Sequence, residues 1–297
     1  MEYGWVFFSL LSGLIMAVVS LMDKLVLDLW SRHPAVPVLL LGILSVPPTA
    51  AILLVRGIPS LPLLQWGLVL AAGAALLGYA WFYFLAAEKE EISRVVPLLF
   101  LGPLFVAGLA VLFLGEVFSL QKYGGVALLI TGAVLISSRL PLRIRPGRAF
   151  GFMLVSAVCV SLQLVITKHL LGFADYWSVF AVTRLAMTLV LIPLLVLHFH
   201  DLRESIQDHG WKVVWVMTGD QYLALAGSLL IVVAAASGPI TLVNALSSVQ
   251  PFFVLIFTLM ISRFRPDLIR EETGRGVVSL KLAAVTLIFI GVLLITC

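Results

Sequence analysis

The residues of this chain that could do chemistry are few, and they sit where they are expensive to keep. Gln163, Arg184, Asp220 and Asn244 each interrupt a long apolar run. Polar groups placed in such runs turn toward a bundle interior or a wet cavity. Thr241, Asn244, Ser248 and Pro251 follow i, i+3, i+7, i+10 spacing, which is one face of a helix, with Ser247 beside it. The amide and hydroxyls of that face suit a solute's polar groups without fixing its charge. Their other use is hydrogen bonding between helices.

Charge and aromatic faces add to the set. Asp220-Gln221-Tyr222 lies about two turns from Lys212. There an aspartate can bind a cation or amine, take up a coupling proton, or serve as an interfacial cap. Arg184 either pairs with Asp220, the more economical account, or receives an anionic solute. Tyr79 and Tyr83 stand one turn apart, where their rings attract a cation and their hydroxyls meet polar groups; Trp81 between them reads as packing. Ser9, Ser12, Met16 and Asp23 share one helix face, as do Ser156, Gln163 and Thr167. Ser12 and Ser156 serve either a solute or the close approach of two helices. Lys24 and Lys168 end their helices, where a cation complements the negative dipole end. The expected solute-binding set is therefore Ser12, Tyr79, Tyr83, Gln163, Arg184, Asp220, Tyr222, Asn244 and Ser248.

What must position these residues is a set of membrane helices. A span needs about 20 mostly apolar residues, and ten such segments are predicted: Gly4–Met22, Ala35–Val55, Leu63–Ala87, Arg94–Leu114, Leu120–Ser138, Ala149–Leu170, Tyr176–Leu197, Lys212–Ala236, Ile240–Ile261 and Ser279–Thr296. Charge, Gly or Pro marks the breaks, Ser237-Gly238-Pro239 being the shortest. The runs are continuous rather than alternating, against an outer-membrane barrel. The first span carries Glu2 instead of a basic start and reads as a retained helix, not a signal peptide.

The ten segments form one unit written twice, residues 1–146 and 147–297. Leu10-Leu11-Ser12 aligns with Leu154-Val155-Ser156 and Lys24 with Lys168. Ser93, Val95 and Pro103-Leu104-Phe105 align with Thr241, Val243 and Pro251-Phe252-Phe253. Leu128, Gly132 and Leu135 align with Leu287, Gly291 and Leu294. Five spans per unit, an odd number, force the second copy upside down relative to the first. The expected fold is thus an all-α integral membrane protein of ten transmembrane helices in two inverted five-helix repeats. Such a pair suits a molecule that opens first to one side of a membrane and then to the other.

Composition agrees and excludes other classes. Hydrophobic residues make up 62% of the chain and charged ones 11%, against about a quarter charged in a soluble domain. Lipid is its main solvent. Lysines and arginines crowd the loops after the odd-numbered segments, while Arg56, Lys122 and Lys168 lie on the other side. The positive-inside rule then puts both termini outside, and the net charge of +4 calls for no nucleic acid. Cys159 and Cys297 define no disulfide framework. No cofactor is implied, because no Gly-rich phosphate loop, nucleophile elbow or paired-carboxylate site appears. His198-Phe199-His200-Asp201 with His209 matches no standard metal spacing and reads as a solvated loop. Glu88, Glu90, Glu91 and Glu116 flank helices and mark interfaces.

Ser93-Arg94-Val95-Val96-Pro97, Gly102-Pro103-Leu104-Phe105, Leu114-Gly115-Glu116, Lys122-Tyr123-Gly124-Gly125 and Leu129-Ile130-Thr131-Gly132 together resemble the fourth and fifth helices of the EamA-type ten-helix branch of the drug/metabolite transporter superfamily. Thr241–Phe253 and Lys281–Gly291 resemble their second-half counterparts. Arg263–Arg275 departs from the pattern, with Glu271-Glu272 standing where the second Leu-Gly-Glu would be. The resemblance implies a multi-pass protein of a prokaryotic inner membrane, monomer or homodimer. It implies a secondary transporter or exporter of a small organic metabolite, an amino acid or related compound, with a coupling proton or counter-substrate and no catalysis. A lipid-linked substrate flippase or membrane-embedded enzyme is the alternative, and a divalent-cation pathway would need more converging carboxylates than Asp220 supplies.

Overall fold

In the computed structural model the described residues are 4–29, 35–89, 101–137, 148–209, 211–264 and 275–296. They form helices and no strand. The first half holds α1 (Gly4–Leu29), α2 (Ala35–Arg56), α3 (Leu63–Lys89), α4 (Gly102–Leu114) and α5 (Leu120–Ser137). The second holds α6 (Arg148–Leu170), α7 (Tyr176–Leu197), α8 (Phe199–His209), α9 (Trp211–Ser237), α10 (Ile240–Ser247), α11 (Gln250–Phe264) and α12 (Arg275–Thr296). Seven stretches are long and apolar enough to cross a membrane, the last being Ile240–Thr258 across α10 and α11. Gly102–Leu114, Leu120–Leu135 and Ser279–Ile295 are shorter apolar helices. Ser93, Pro97, the linker at Arg139, the Lys24 side chain and Glu271-Glu272 lie outside what is described.

Two expectations are corrected. The His198 stretch is a helix, not a loop. Leu202 and Ile206 of α8 lie one turn apart and pack on a core cluster, so an apolar stripe, hidden among its charges, folds this segment down. The ninth predicted span persists as one apolar stretch, but its helix is interrupted after Ser247. Pro251 has no N–H to return to the Ser247 carbonyl, and in an unbroken helix its ring would clash with that oxygen. The chain tightens instead, with Val249 N donating to Leu246 O at 3.2 Å and Phe252 N to Val249 O at 2.9 Å. Helix α1 closes on the break at Gly13, where a Cβ would lie 2.9 Å from Ser247 O. Gln250 Nε2 fastens the junction by donating to Met16 O at 3.1 Å and Ser20 Oγ at 2.6 Å.

Contacts between the halves exchange with one another. Helix α1 packs on α9 as α6 packs on α3; α4 packs on α6 as α10 and α11 pack on α1; α2 packs on α7 and α5 on α12. The aligned serines make the same bond. Ser12 Oγ donates to Gly227 O at 2.8 Å, and Ser156 Oγ to Tyr79 O at 2.9 Å. At the α5–α12 crossing, a Cβ on Gly132 would meet Ala284 O at 2.8 Å and Ile288; one on Gly291 would meet Gly125 O at 2.8 Å and Leu129. Equivalent helices therefore run antiparallel there. Helices α2 and α7 also do, since Gly42 faces Leu191 while Ser45 Oγ meets Thr188 Oγ1 at 3.3 Å.

One reversal, Ser237-Gly238-Pro239, joins α9 to α10 and leaves two raw helix ends together. Pro239 offers no side-chain cap to α10. Gly115, at φ +66°, turns the chain left-handed at the end of α4, a conformation that favours glycine, and delivers Glu116 to the gap. Its carboxylate accepts from Ile240 N at 2.8 Å, Thr241 N at 3.2 Å and Thr241 Oγ1 at 2.9 Å. Lys168 Nζ meets the other end, donating to Ala235 O at 2.6 Å and Gly238 O at 2.8 Å. Lys168 thus complements the C-terminal end of α9 rather than that of its own helix, and Glu116 is a cap in trans.

Two outcomes follow for purified protein melted in detergent. Gly291→Ala lowers stability by about 1–3 kcal/mol through overpacking, whereas Gly108→Ala, with nothing within 4 Å of its Cβ, is neutral or stabilising by up to about 1 kcal/mol. Glu116→Ala costs about 1–3 kcal/mol because buried donors lose their acceptor, and Glu116→Gln, which keeps one acceptor oxygen, costs less. An unchanged melting temperature in Glu116→Ala would show the cap to be idle.

Candidate functional site

A cavity of about 290 Å³ lies between the halves. Helices α1, α2 and α3 line it from the first half, and α6, α7, α9, α10 and α11 from the second. Eight of the nine expected residues reach it: Ser12, Tyr79, Tyr83, Gln163, Arg184, Asp220, Asn244 and Ser248. Tyr222 does not. It is 40% exposed, because two residues along a helix turn the side chain about 200°, to the face opposite Asp220.

Not every lining group is equally available. The Ser12 hydroxyl is occupied by Gly227 O, so it holds α1 against α9 and contributes only the wall. Gln163 Nε2 donates to Thr167 Oγ1 at 2.9 Å, which fixes the amide one turn from its own helix neighbour. Asn244 is the focus of the α10 end: its backbone carbonyl accepts from Ser247 Oγ and Ser248 Oγ, both at 2.9 Å. Among the described residues its side-chain amide makes no hydrogen bond. Thr241, on the same predicted face, is spent on Glu116 instead.

The expected Arg184–Asp220 pair does not form. Arg184 Nη2 donates to Ser228 Oγ at 2.6 Å, and the guanidinium lies 5.4 Å from the centroid of the Phe180 ring. Ser228 is eight residues past Asp220 on α9, about 12 Å of helix rise, which keeps the charges apart. Asp220, 3% exposed, faces Asp23 of α1, and the two carboxyl groups are close enough to share a hydrogen bond. Its Oδ2 accepts a long 3.4 Å bond from Gln221, and its Oδ1 has no hydrogen-bond partner. The Tyr79 and Tyr83 rings stand 6.2 Å apart between the two charged ends. Sequence reasoning left out Asp23, although it shares the Ser9–Ser12–Met16 face. It also left out Ser228 and Gln250, for which spacing gave no signal.

Outside the spans, Asp175 starts α7. Slight burial pushes its carboxyl up, but hydrogen bonds from Ser178 and Trp177, with Arg56 nearby, outweigh this and leave it below its ordinary value. The cap stands at neutral pH and weakens only as acid protonates it.

Comparison with known proteins agrees with this architecture. The model of the EamA-like transporter family matches residues 3–138. An uncharacterised transporter encoded in the cobO 3′ region of a Sinorhizobium species is 34% identical over 142 residues, 46% of this chain and 99% of the relative. An uncharacterised protein of Methanocaldococcus jannaschii is 35% identical over 69 residues, 23% of this chain and 50% of that protein. A solved crystal structure of a protein with 17% sequence identity has the same fold, with a TM-score of 0.76 over 100% of this chain and 97% of the other. With one relative covered almost end to end by less than half of this multi-pass chain, and the family's own pattern matched in its first half, the protein belongs to the EamA-like transporter family.

Proposed function

We propose that the protein is a secondary transporter that moves a small organic metabolite, an amino acid or related compound, outward by alternating access between its halves. The observation that carries this reading is the cavity between two sets of antiparallel equivalent helices, lined by polar side chains from both. Rocking one half against the other about such a cavity exposes it to each side in turn. Two repeats, residues 1–146 and 147–297, fit the single-unit length of the Sinorhizobium relative, which less than half of this chain covers.

Within that cycle Asn244, Ser248 and Gln163 orient the solute by neutral hydrogen bonds. Asp220 and Asp23 form a compact negative site that a cation, amine or coupling proton neutralises. A counter-substrate serves equally well to reset the cycle. Energy then comes from a gradient.

Uptake and counterflow in proteoliposomes, across a metabolite panel under imposed solute and proton gradients, test the reading. Asp220→Asn and Asn244→Ala are each expected to lower transport about tenfold or more, the scale of one lost hydrogen bond to a charged or oriented group. Tyr222→Phe should leave it unchanged. A protein that moves no solute under any gradient is not a transporter of this class. Transport that both cavity variants leave intact places the site elsewhere.

A further inference from the structure

The cavity's charges are sorted into two ends. At one end the Arg184 guanidinium is 8% exposed, with a neutral hydroxyl and an aromatic ring as its contacts. A guanidinium carries five donors in a planar fork that matches a carboxylate. The close ion pairs among the described residues are His198–Asp201 and His200–Glu204. None of these residues lines the cavity, so Arg184 is a buried cation without a carboxylate among those residues. Leaving a charge in that state is costly unless a ligand completes it.

At the other end the complement holds. Asp220 Oδ1 is buried and unpartnered, and the Asp23 carboxyl lies beside it. Two carboxyl groups that share a hydrogen bond in an apolar wall still hold a negative charge that attracts a cation. Between the ends Tyr79 and Tyr83 form a two-ring wall. Tyr79 lies within electrostatic reach of both Arg184 and Asp23, and Tyr83 of Asp23 and Asp220. Such rings accept a methylene chain and tolerate an ammonium at their faces.

From this we infer that the site takes an extended ω-amino carboxylate, its carboxylate on Arg184 and its terminal ammonium between Asp23 and Asp220. Basic amino acids fall within that class. Subtracting a contact of about 3 Å at each end from the about 12 Å between the Asp220 and Ser228 levels leaves about 6 Å between the substrate's charges. A short α-amino acid without a second amine cannot bridge both ends at once. This inference rests on the transporter reading for its biological direction, but binding tests it separately.

The experiment measures binding of 6-aminohexanoate, hexanoate, hexylamine and glycine to the full-length protein in detergent, followed by counterflow of each in proteoliposomes. 6-Aminohexanoate is expected to bind at least about tenfold more tightly than the three others, since only it engages both ends. Asp220→Asn should weaken 6-aminohexanoate and hexylamine about tenfold and leave hexanoate unchanged. Arg184→Gln should weaken 6-aminohexanoate and hexanoate and leave hexylamine unchanged. Asp23→Asn tests the same end if Asp220→Asn does not fold. Equal binding of glycine or hexylamine, or variants that weaken every ligand alike, overturns the inference. If other solutes move while 6-aminohexanoate neither binds nor moves, the transporter reading stands and this one falls. If 6-aminohexanoate binds and nothing moves, the reverse holds.

Discussion

The structure turns on how three residues, Ser237-Gly238-Pro239, reverse the chain without leaving raw helix ends in an apolar setting. Helix α9 ends there with unpaired carbonyls and α10 begins with unpaired N–H groups, which is the unavoidable state of any helix terminus. Water cannot be counted on to satisfy them. Glu116 from the end of α4 supplies the acceptor and Lys168 from the end of α6 the donor. Trp5 of α1 packs on Gly238 so closely that a Cβ there would lie 2.7 Å from its ring. Three helices from both halves therefore meet at one turn. The position of α10, and with it Asn244 and Ser248 in the cavity wall, is a consequence of that meeting.

Much of this was legible where the sequence repeats. The aligned serines and the late glycines share register in the sequence, and they make matched bonds and matched crossings in space. A small residue recurring at one place in two copies of a unit is a constraint on close approach, and close approach has few solutions. Other features were not legible. Hydropathy averages over the Ser247–Pro251 junction, so one apolar run hides two helices. The stripe of α8 is no more than a buried Leu202 and a half-buried Ile206 within a charged segment. The Arg184–Asp220 pairing failed because a single chain reveals which residues are buried but not at which level neighbouring helices align. Tyr222 failed for a simpler reason: two steps along a helix reach its opposite face.

The two halves also divide their labour unevenly. Arg184, Asp220, Gln163 and Asn244 come from the second half, and the first-half positions that align with Asp220 and Asn244 in sequence are Ala72 and Val96. The first half answers with Asp23 and the tyrosine pair. Glu116 and Lys168 are unsymmetrical in another sense, because both act on the same reversal in the second half.

The matched serine bonds have an energetic consequence. For a protein that alternates between two openings, Ser12–Gly227 and Ser156–Tyr79 are the same latch placed on opposite flanks. Both are formed in this structure, and exchanging the roles of the halves turns each into the other, so the scaffold's hydrogen-bond inventory is unchanged. A repeated scaffold thus sets its two facing states nearly level. In the proposed cycle, the resting preference between them, and how far a bound solute must tilt it, falls to the few residues that have no counterpart.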